Sequence, residues 1–471
     1  MTPGTRAAGS HLNAGYNRAY VWAISLVAAL GGLLFGYDWV VIGGAKPFYE
    51  QFFHLSDPSQ QGWAMSCALV GCLIGALISG GLTERYGRKR LLIAAAMLFA
   101  VSSLGTGLAD AFTTFVVWRI AGGVAIGLAS SLSPMYIAEI APAHLRGKLV
   151  SMNQLTIVIG ILLAQCMNWM IAKPVPANAT ALEILNSWNG QVGWRWMFCV
   201  TAVPALLFFA GMFAVPESPR WLATKGKSRA ARRVLERIGG SAYANLALSG
   251  IESSLGYDAE KVGIAALFRP NMIKALTLGV VLAVFQQWCG INVIFNYAED
   301  VFAAAGYNVS AILFNIVVTG VVNLLFTFVA IALVDKTGRR KLMLAGAAGL
   351  AVIYMLLGAG YRAGSQGLPM LLLVVAAIAC YAMSLAPVTW VVISEIFPNR
   401  VRGEAMSVAV TSLWIASFIL TYTFPLLNKS LGSAGTFWVY ASICVVGFLF
   451  IKRRLPETKG KTLEEIEALW A

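Results

Sequence analysis

Charge is scarce in this sequence of 471 residues: Asp, Glu, Lys and Arg make up 12%, against 58% apolar residues and a mean hydropathy of +0.73. A water-soluble globule of that composition would show hydrocarbon over much of its surface, so a soluble fold is excluded and lipid is the solvent for most of the chain. Histidine is scarcer still. His11, His54 and His144 are scattered without the spacing of a ligand set, and no metal site is expected. All seven cysteines fall inside apolar runs, where a free thiol behaves as a small hydrophobe, so no disulfide framework is expected either. A phosphate loop is missing: Gly226-Lys227-Ser228 and Gly460-Lys461-Thr462 have Trp221 and Leu455 where its first glycine belongs, which argues against an ATP-driven machine. The first 18 residues lack the apolar stretch of a signal peptide, so the N-terminus is expected to be retained.

What the chain does have is apolar length. Runs of about 20 residues, enough to cross a hydrocarbon core of about 30 Å, fall at 19–43, 62–82, 91–109, 112–137, 149–172, 195–215, 273–297, 310–334, 341–361, 368–393, 405–427 and 435–453. The expected fold is an all-α membrane protein of twelve transmembrane helices in two pseudo-symmetric six-helix bundles. Residues 1–215 form the first bundle, 216–272 a cytoplasmic helical linker too small to be an enzyme domain, 273–455 the second bundle and 456–471 a cytoplasmic tail.

An even number of crossings leaves both termini on one side, and basic residues choose which. Of the 35 Lys and Arg, Lys46, Lys173, Arg195, Arg362 and Lys429 fall on one face and Arg119 inside a span; the rest collect at the termini and even-numbered loops. Both termini are therefore expected in the cytoplasm, with the chain in an inner membrane. The net charge of +14 then follows from this asymmetry and its attraction to anionic headgroups. Lipid is the expected partner of that charge, and nucleic acid is not.

The two halves repeat one another. Glu139-IAPAHL-Arg146-Gly147 and Glu395-IFPNRV-Arg402-Gly403 stand 256 residues apart. Arg85-Tyr-Gly-Arg88-Lys89 and Lys336-Thr-Gly-Arg339-Arg340 stand 251 apart, each directly after an apolar run. Two ordered matches at nearly equal offsets indicate duplication, the construction of many transporters built around a central site.

Inside the spans the costly residues are Asp38 and Arg119, each carrying an insertion penalty of about 3 kcal/mol unless partnered. Span 1 runs outward and span 4 inward, so at about 1.5 Å per residue Asp38 lies about 7 Å and Arg119 about 10 Å below the outer ends of their spans. An ion pair between them is expected. One reading makes it a permanent bridge that pins two helices, a poor use of a buried pair. The other makes it a proton switch, since a low-dielectric cavity resists ionisation of Asp38 while Arg119 favours it.

Uncharged polar residues gather in the second half. Gln286, Gln287, Asn292 and Asn296 lie in FQQWCGINVIFNY, where Gly290 offers a break that turns several of them toward one cavity. In span 5, Gln154, Gln165 and Asn168 fall within about 60° of one another on a helix. Asn323, and Trp390 just after the helix-breaking Pro387, complete the set. Carboxamides that donate and accept together, beside an aromatic face, suit a neutral polyhydroxylated solute. For Gln165 and Asn168, polar bonding between helices is an equal alternative.

Read together, GLLFGYD, SPMYIAEIAPAHLRGKL, PESPR, QQWCGIN, VDKTGRR, SEIFPNRVRG and PETKG make residues 20 to 460 resemble the sugar porter family of the major facilitator superfamily, and its bacterial xylose–proton symporters in particular. The resemblance implies twelve helices, a sugar site midway and alternating access by rocking of the halves. It implies sugar contacts from Gln154, Gln286, Gln287, Asn292, Asn323 and Trp390, to which the amide cluster adds Asn296, and proton coupling by Asp38 with Arg119. It also implies cytoplasmic gating bridges that latch the outward-open state, made by Arg85, Glu139, Arg146 and Glu217 in one half with Arg339, Glu395 and Arg402 in the other. Four positions depart from the family pattern: Trp39 replaces a small or hydroxylated residue, Asn296 a Tyr, Ala386 a Gly and Leu413 an amide.

The function expected is proton-coupled symport of a monosaccharide, xylose or a hexose such as glucose, by a monomer that is not an enzyme and needs no cofactor. The alternatives are a facilitative uniporter in which Asp38 is structural, a non-transporting sugar sensor, and an exporter of drugs or organic cations. An exporter's cavity should be aromatic and acidic, not rich in amides.

Overall fold

The computed structural model describes residues 16–142, 144–176, 179–257, 267–268, 270–397 and 401–459. Eleven helices are long and apolar enough to cross a membrane: α1 Arg18–Phe52, α2 Pro58–Tyr86, α3 Arg88–Gly107, α4 Phe112–Ile140, α5 Arg146–Ile171, α6 Asn189–Ala214, α7 Met272–Asn296, α8 Val309–Val334, α9 Arg339–Arg362, α10 Leu368–Ile396 and α11 Gly403–Arg454. The last is two spans in one, because Gly432 (φ 66°, ψ 173°) folds its 52 residues back on themselves. The twelve crossings expected from hydropathy are therefore present, and no strand occurs among the described residues. Exposed Leu77, Val117, Met170, Leu207 and Val446 belong to the outward faces that a bilayer covers.

Close helix crossings rest on glycine. Between α2 and α4, a Cβ added at Gly71 would lie 2.1 Å from the Ile120 carbonyl oxygen, and one at Gly123 would lie 2.0 Å from that of Ala68. Between α1 and α5, Gly36 meets Ile157 and Gly160 meets Leu33 in the same reciprocal way. Small residues four apart let backbones touch, which is how helices associate where hydrophobic driving force is absent. These two crossings hold α1 and α4 in the register that matters below.

Two more helices are interrupted near the centre of the molecule's polar groups. Gly290 takes a left-handed conformation (φ 87°) and divides α7 after Trp288, so a short segment, Ile291–Asn296, turns away from the main axis. In α10 the break comes at Met383–Ser384, where Pro387 leaves the Met383 carbonyl without its helical donor. In contrast α1 runs on past the expected end at residue 43 to Phe52, despite Pro47. Phe48 and Tyr49 are fully buried in that extension, and packing there outweighs the one lost hydrogen bond.

Between the halves, a short helix Pro219–Thr224 and a helix Ser228–Tyr257, kinked at Gly239–Gly240, pack on one end of the bundle. The Trp221 indole donates to the Glu84 carbonyl at 3.0 Å, and the Asn17 amide donates to the Ile238 carbonyl at 2.9 Å. This is the linker end of the molecule, and the opposite one is the far end. Linker residues 258–266 and tail residues 460–471 lie outside the described residues.

Candidate functional site

The reciprocal glycines pack α4 on α2 and α1 on α5, and Asp38 of α1 and Arg119 of α4 meet with an N–O distance of 2.6 Å. Asp38 is 6% and Arg119 4% exposed, and the guanidinium carbon lies 5.5 Å from the centre of the Phe198 ring. The pair borders a cavity of about 20 Å³, close to the space one water needs. Its walls are Phe35, Trp39 and Ile42 of α1, Met65 to Cys72 of α2, Ile126 of α4 and Asn296 of α7. Trp39 faces Phe35 at 5.7 Å and Trp414 of the second half at 6.4 Å between ring centres, so aromatic rings from both halves lie beside the ion pair.

The carboxamides of α7 form a chain. Asn292 donates to the Gln287 oxygen, and the Gln287 amide donates to the Gln286 oxygen at 2.8 Å. Gln286, Gln287 and Asn292 are each 5–7% exposed, so this is a buried polar strip. Asn296, expected among them, is separate: it stands at the end of the short segment Ile291–Asn296 and lines the Asp38–Arg119 cavity. Asn323 on α8 is buried, whereas Gln154 on α5 and Trp390 on α10 are half-buried. The span 5 stripe is divided. Asn168 donates to the Val41 carbonyl at 2.9 Å, a bond between α5 and α1, and a Cβ added at Gly320 would overlap the Gln165 carboxamide.

At the linker end the acidic repeats pair within their own halves. Arg88 reaches Glu139 at 2.7 Å, and the Ser218 hydroxyl donates to the other Glu139 oxygen. The expected partner Arg85 is instead exposed, its guanidinium 5.2 Å over the Tyr86 ring. In the second half Arg339 pairs with Glu395 at 3.3 Å. Aligning the repeats by their shared glycine puts Arg88 opposite Arg339, which is the sequence signal for this pairing. Arg146 is exposed at the start of α5, and the Arg402 side chain lies outside the described residues.

Glu217 has another task. Its carboxylate accepts from the backbone amides of Arg88 at 3.0 Å and Lys89 at 3.1 Å, capping α3. Glu457, missed in the sequence, does the same for α9, accepting from the Arg339 and Arg340 amides at 3.0 and 3.2 Å. An anion satisfies the orphan donors of a helix start and complements its dipole. The Pro-Glu-Ser and Pro-Glu-Thr triplets that carry these residues were a legible sign of the symmetry.

The halves meet at the far end. Lys46 of α1 bonds Glu299 and Asp300 of the second half, the Val175 amide donates to the Ser310 hydroxyl at 3.0 Å, and Trp63 packs against Phe418.

The profile of the sugar (and other) transporter family matches residues 24–470. The chain is 41% identical to the D-xylose-proton symporter of Escherichia coli (strain K12), over 98% of this chain and 97% of that one. It is 40% identical to the arabinose-proton symporter of Bacillus subtilis (strain 168), over 97% and 96%. Its fold is similar to the inward open conformation of the xylose transporter XylE from E. coli, with a TM-score of 0.83 at 39% identity, covering 96% of this chain and 100% of that one.

Proposed function

The chain belongs to the sugar transporter family, and on that premise we propose that it carries a monosaccharide together with a proton across a bacterial inner membrane by alternating access. The observation that carries the reading is the buried Asp38–Arg119 pair, set beside aromatic rings and near a strip of carboxamides. An isolated buried pair is a poor stability device. A carboxylate that exchanges its proton as the halves rock makes use of the same burial. Each proton moved through 100 mV supplies about 2.3 kcal/mol, equivalent to about a 50-fold concentration ratio of a neutral solute.

The cargo meets Gln286, Gln287 and Asn292 on one side, with Gln154, Asn323 and Trp390 completing the wall; the amides read hydroxyls and the indole covers an apolar ring face. The relatives named for xylose and arabinose support a pentose as first choice, with a hexose such as glucose second. Residues 1–215 and 273–455 act as the two rocking bodies, joined by the linker at 216–272, in a monomer. Both termini lie in the cytoplasm, the side favoured by the Lys and Arg distribution. On that orientation the far end faces outward, and the contacts that close it belong to an inward-facing state. The capped networks around Glu139 and Glu395 serve gating, with Arg146 and Arg402 poised to bridge the halves when that end closes.

The test is sugar-induced alkalinisation outside de-energised proteoliposomes. A labelled pentose should enter with a proton, and transport without proton movement would reduce the protein to a uniporter in which Asp38 is a structural pin.

A further inference from the structure

The cavity at Asp38 has one wall residue from the second half, and that residue is Asn296. Ten of its eleven lining residues come from α1, α2 and α4. The Asn296 side chain is 5% exposed, and its carboxamide oxygen is buried without a hydrogen-bond partner. It lies outside the Asn292–Gln287–Gln286 chain that occupies the other amides of α7. A Cβ added at Gly43 would stand 2.8 Å from the Asn296 carbonyl oxygen, so α1 and the short segment of α7 abut at this point. A buried acceptor facing the cavity is available to a donor that enters or forms there.

Asp38 supplies that donor when it is protonated. As a carboxylate it only accepts, and Arg119 satisfies it at 2.6 Å. As a carboxylic acid it carries an O–H that needs an acceptor. Among the described side chains lining the cavity, Met65 sulfur already receives the Tyr49 hydroxyl at 3.0 Å, while the Asn296 oxygen is unoccupied. The other ionisable groups facing this site are Cys67 and Cys72 of α2 and Tyr49 of α1, the last beside Arg119. These are donors or weak acceptors, and none competes with a carboxamide oxygen for an acid O–H.

We propose that Asn296 accepts the hydrogen bond of protonated Asp38, directly or through one water, and is the residue by which the second half registers the proton. The inference rests on the proton-coupled reading above. The sequence of events balances one proton. Asp38 carboxylate takes H⁺ from water at the open far end, its new O–H donates to Asn296 as the halves close there, and the proton leaves to water at the linker end. The carboxylate then returns to Arg119. Asn296 lines the cavity in this structure, in which the far end is closed, so protonation that engages it favours closing, which ties the proton to the stroke that carries sugar inward. Asn296 is a positioning residue here, distinct from the groups that hold the sugar.

Full-length protein in proteoliposomes tests this, with pH profiles of labelled xylose uptake for the parent, Asp38→Asn, Asn296→Leu and Asn296→Ser. Losing one acceptor for the acid form should move half-maximal uptake of Asn296→Leu about one pH unit lower, a tenfold higher proton demand, with uptake recovered by acidification. Asn296→Ser, which keeps an oxygen, should shift less. An unmoved profile in Asn296→Leu, while the parent still takes up protons with sugar, overturns the inference alone. A deficit that acid does not recover assigns Asn296 to sugar binding and overturns it too. Absence of sugar-driven proton uptake in the parent removes the coupled reading and the inference with it.

Discussion

Lys46 of α1 lies 2.8 Å from Glu299, across the junction of the two halves, with Asp300 at 2.9 Å and Glu50 of its own helix at 3.4 Å from the same ammonium. The lysine is 4% exposed, so a single buried cation holds three carboxylates together at the far end. Removing one partner of a buried ionic group costs about 3–5 kcal/mol, because what remains is uncompensated charge. Lys46→Met should therefore open the far end. Spin labels at exposed Ser56 and Ser430 should report a longer distance in this variant, and Lys46→Glu combined with Glu299→Lys should restore the short one. An unchanged distance distribution in Lys46→Met would show that apolar packing alone closes the junction.

The second prediction concerns Asp38. Asp38→Asn preserves shape and removes the titrating group, so uphill accumulation, about 50-fold per 100 mV in the parent, should collapse to equilibration. Exchange of labelled for unlabelled sugar across the membrane should continue. Loss of both activities would mean that the ion pair with Arg119 is needed for folding and not for coupling.

Gln287 stands in the middle of the α7 amide chain, accepting from Asn292 and donating to Gln286. Gln287→Ala leaves two buried amides short of a partner and also removes a proposed sugar contact. Losses of this kind cost about 1–3 kcal/mol, so equilibrium binding of xylose should weaken by about 5- to 150-fold. Titration by intrinsic fluorescence reads this directly, without dependence on proton flow.

Gly87 and Gly338 start α3 and α9 with φ of 90° and 95°, a conformation that costs an L side chain about 1–2 kcal/mol. An added Cβ would also lie 2.4 Å from a Glu217 carboxylate oxygen in the first half and 2.9 Å from its Glu457 counterpart in the second. Gly87→Ala and Gly338→Ala should each lower the melting temperature in detergent, the first by more. Equal losses would show that backbone strain outweighs displacement of the capping carboxylate.

Much of this organisation was legible in the chain. Hydropathy located all twelve crossings, because a segment that must satisfy its backbone within lipid has no choice but helix. Charge and duplication pointed to Asp38, Arg119, Glu139 and Glu395, since such residues are rare enough in apolar runs to be noticed singly. Helix ends were less legible. The extension of α1 beyond residue 43 and the join of the last two spans at Gly432 depend on packing and on one backbone angle. Choosing between Arg85 and Arg88 needed the direction of a side chain at a helix start. In sequence Glu217 looks like one more gating charge, although its carboxylate caps a neighbouring helix.

By itself, then, the order of residues determined the solvent, the number of crossings, the twofold repetition and the kinds of polar group enclosed, because each is set by composition and period within one segment. Only the tertiary structure decided which polar groups meet. Asn296 lines the Asp38–Arg119 cavity, outside the chain of its neighbouring amides, because the short segment beyond Gly290 ends against α1, and Lys46 finds Glu299 because two halves close around it. Contacts between residues some 250 positions apart depend on distances of a few ångströms, and those follow from how glycine-lined helices cross.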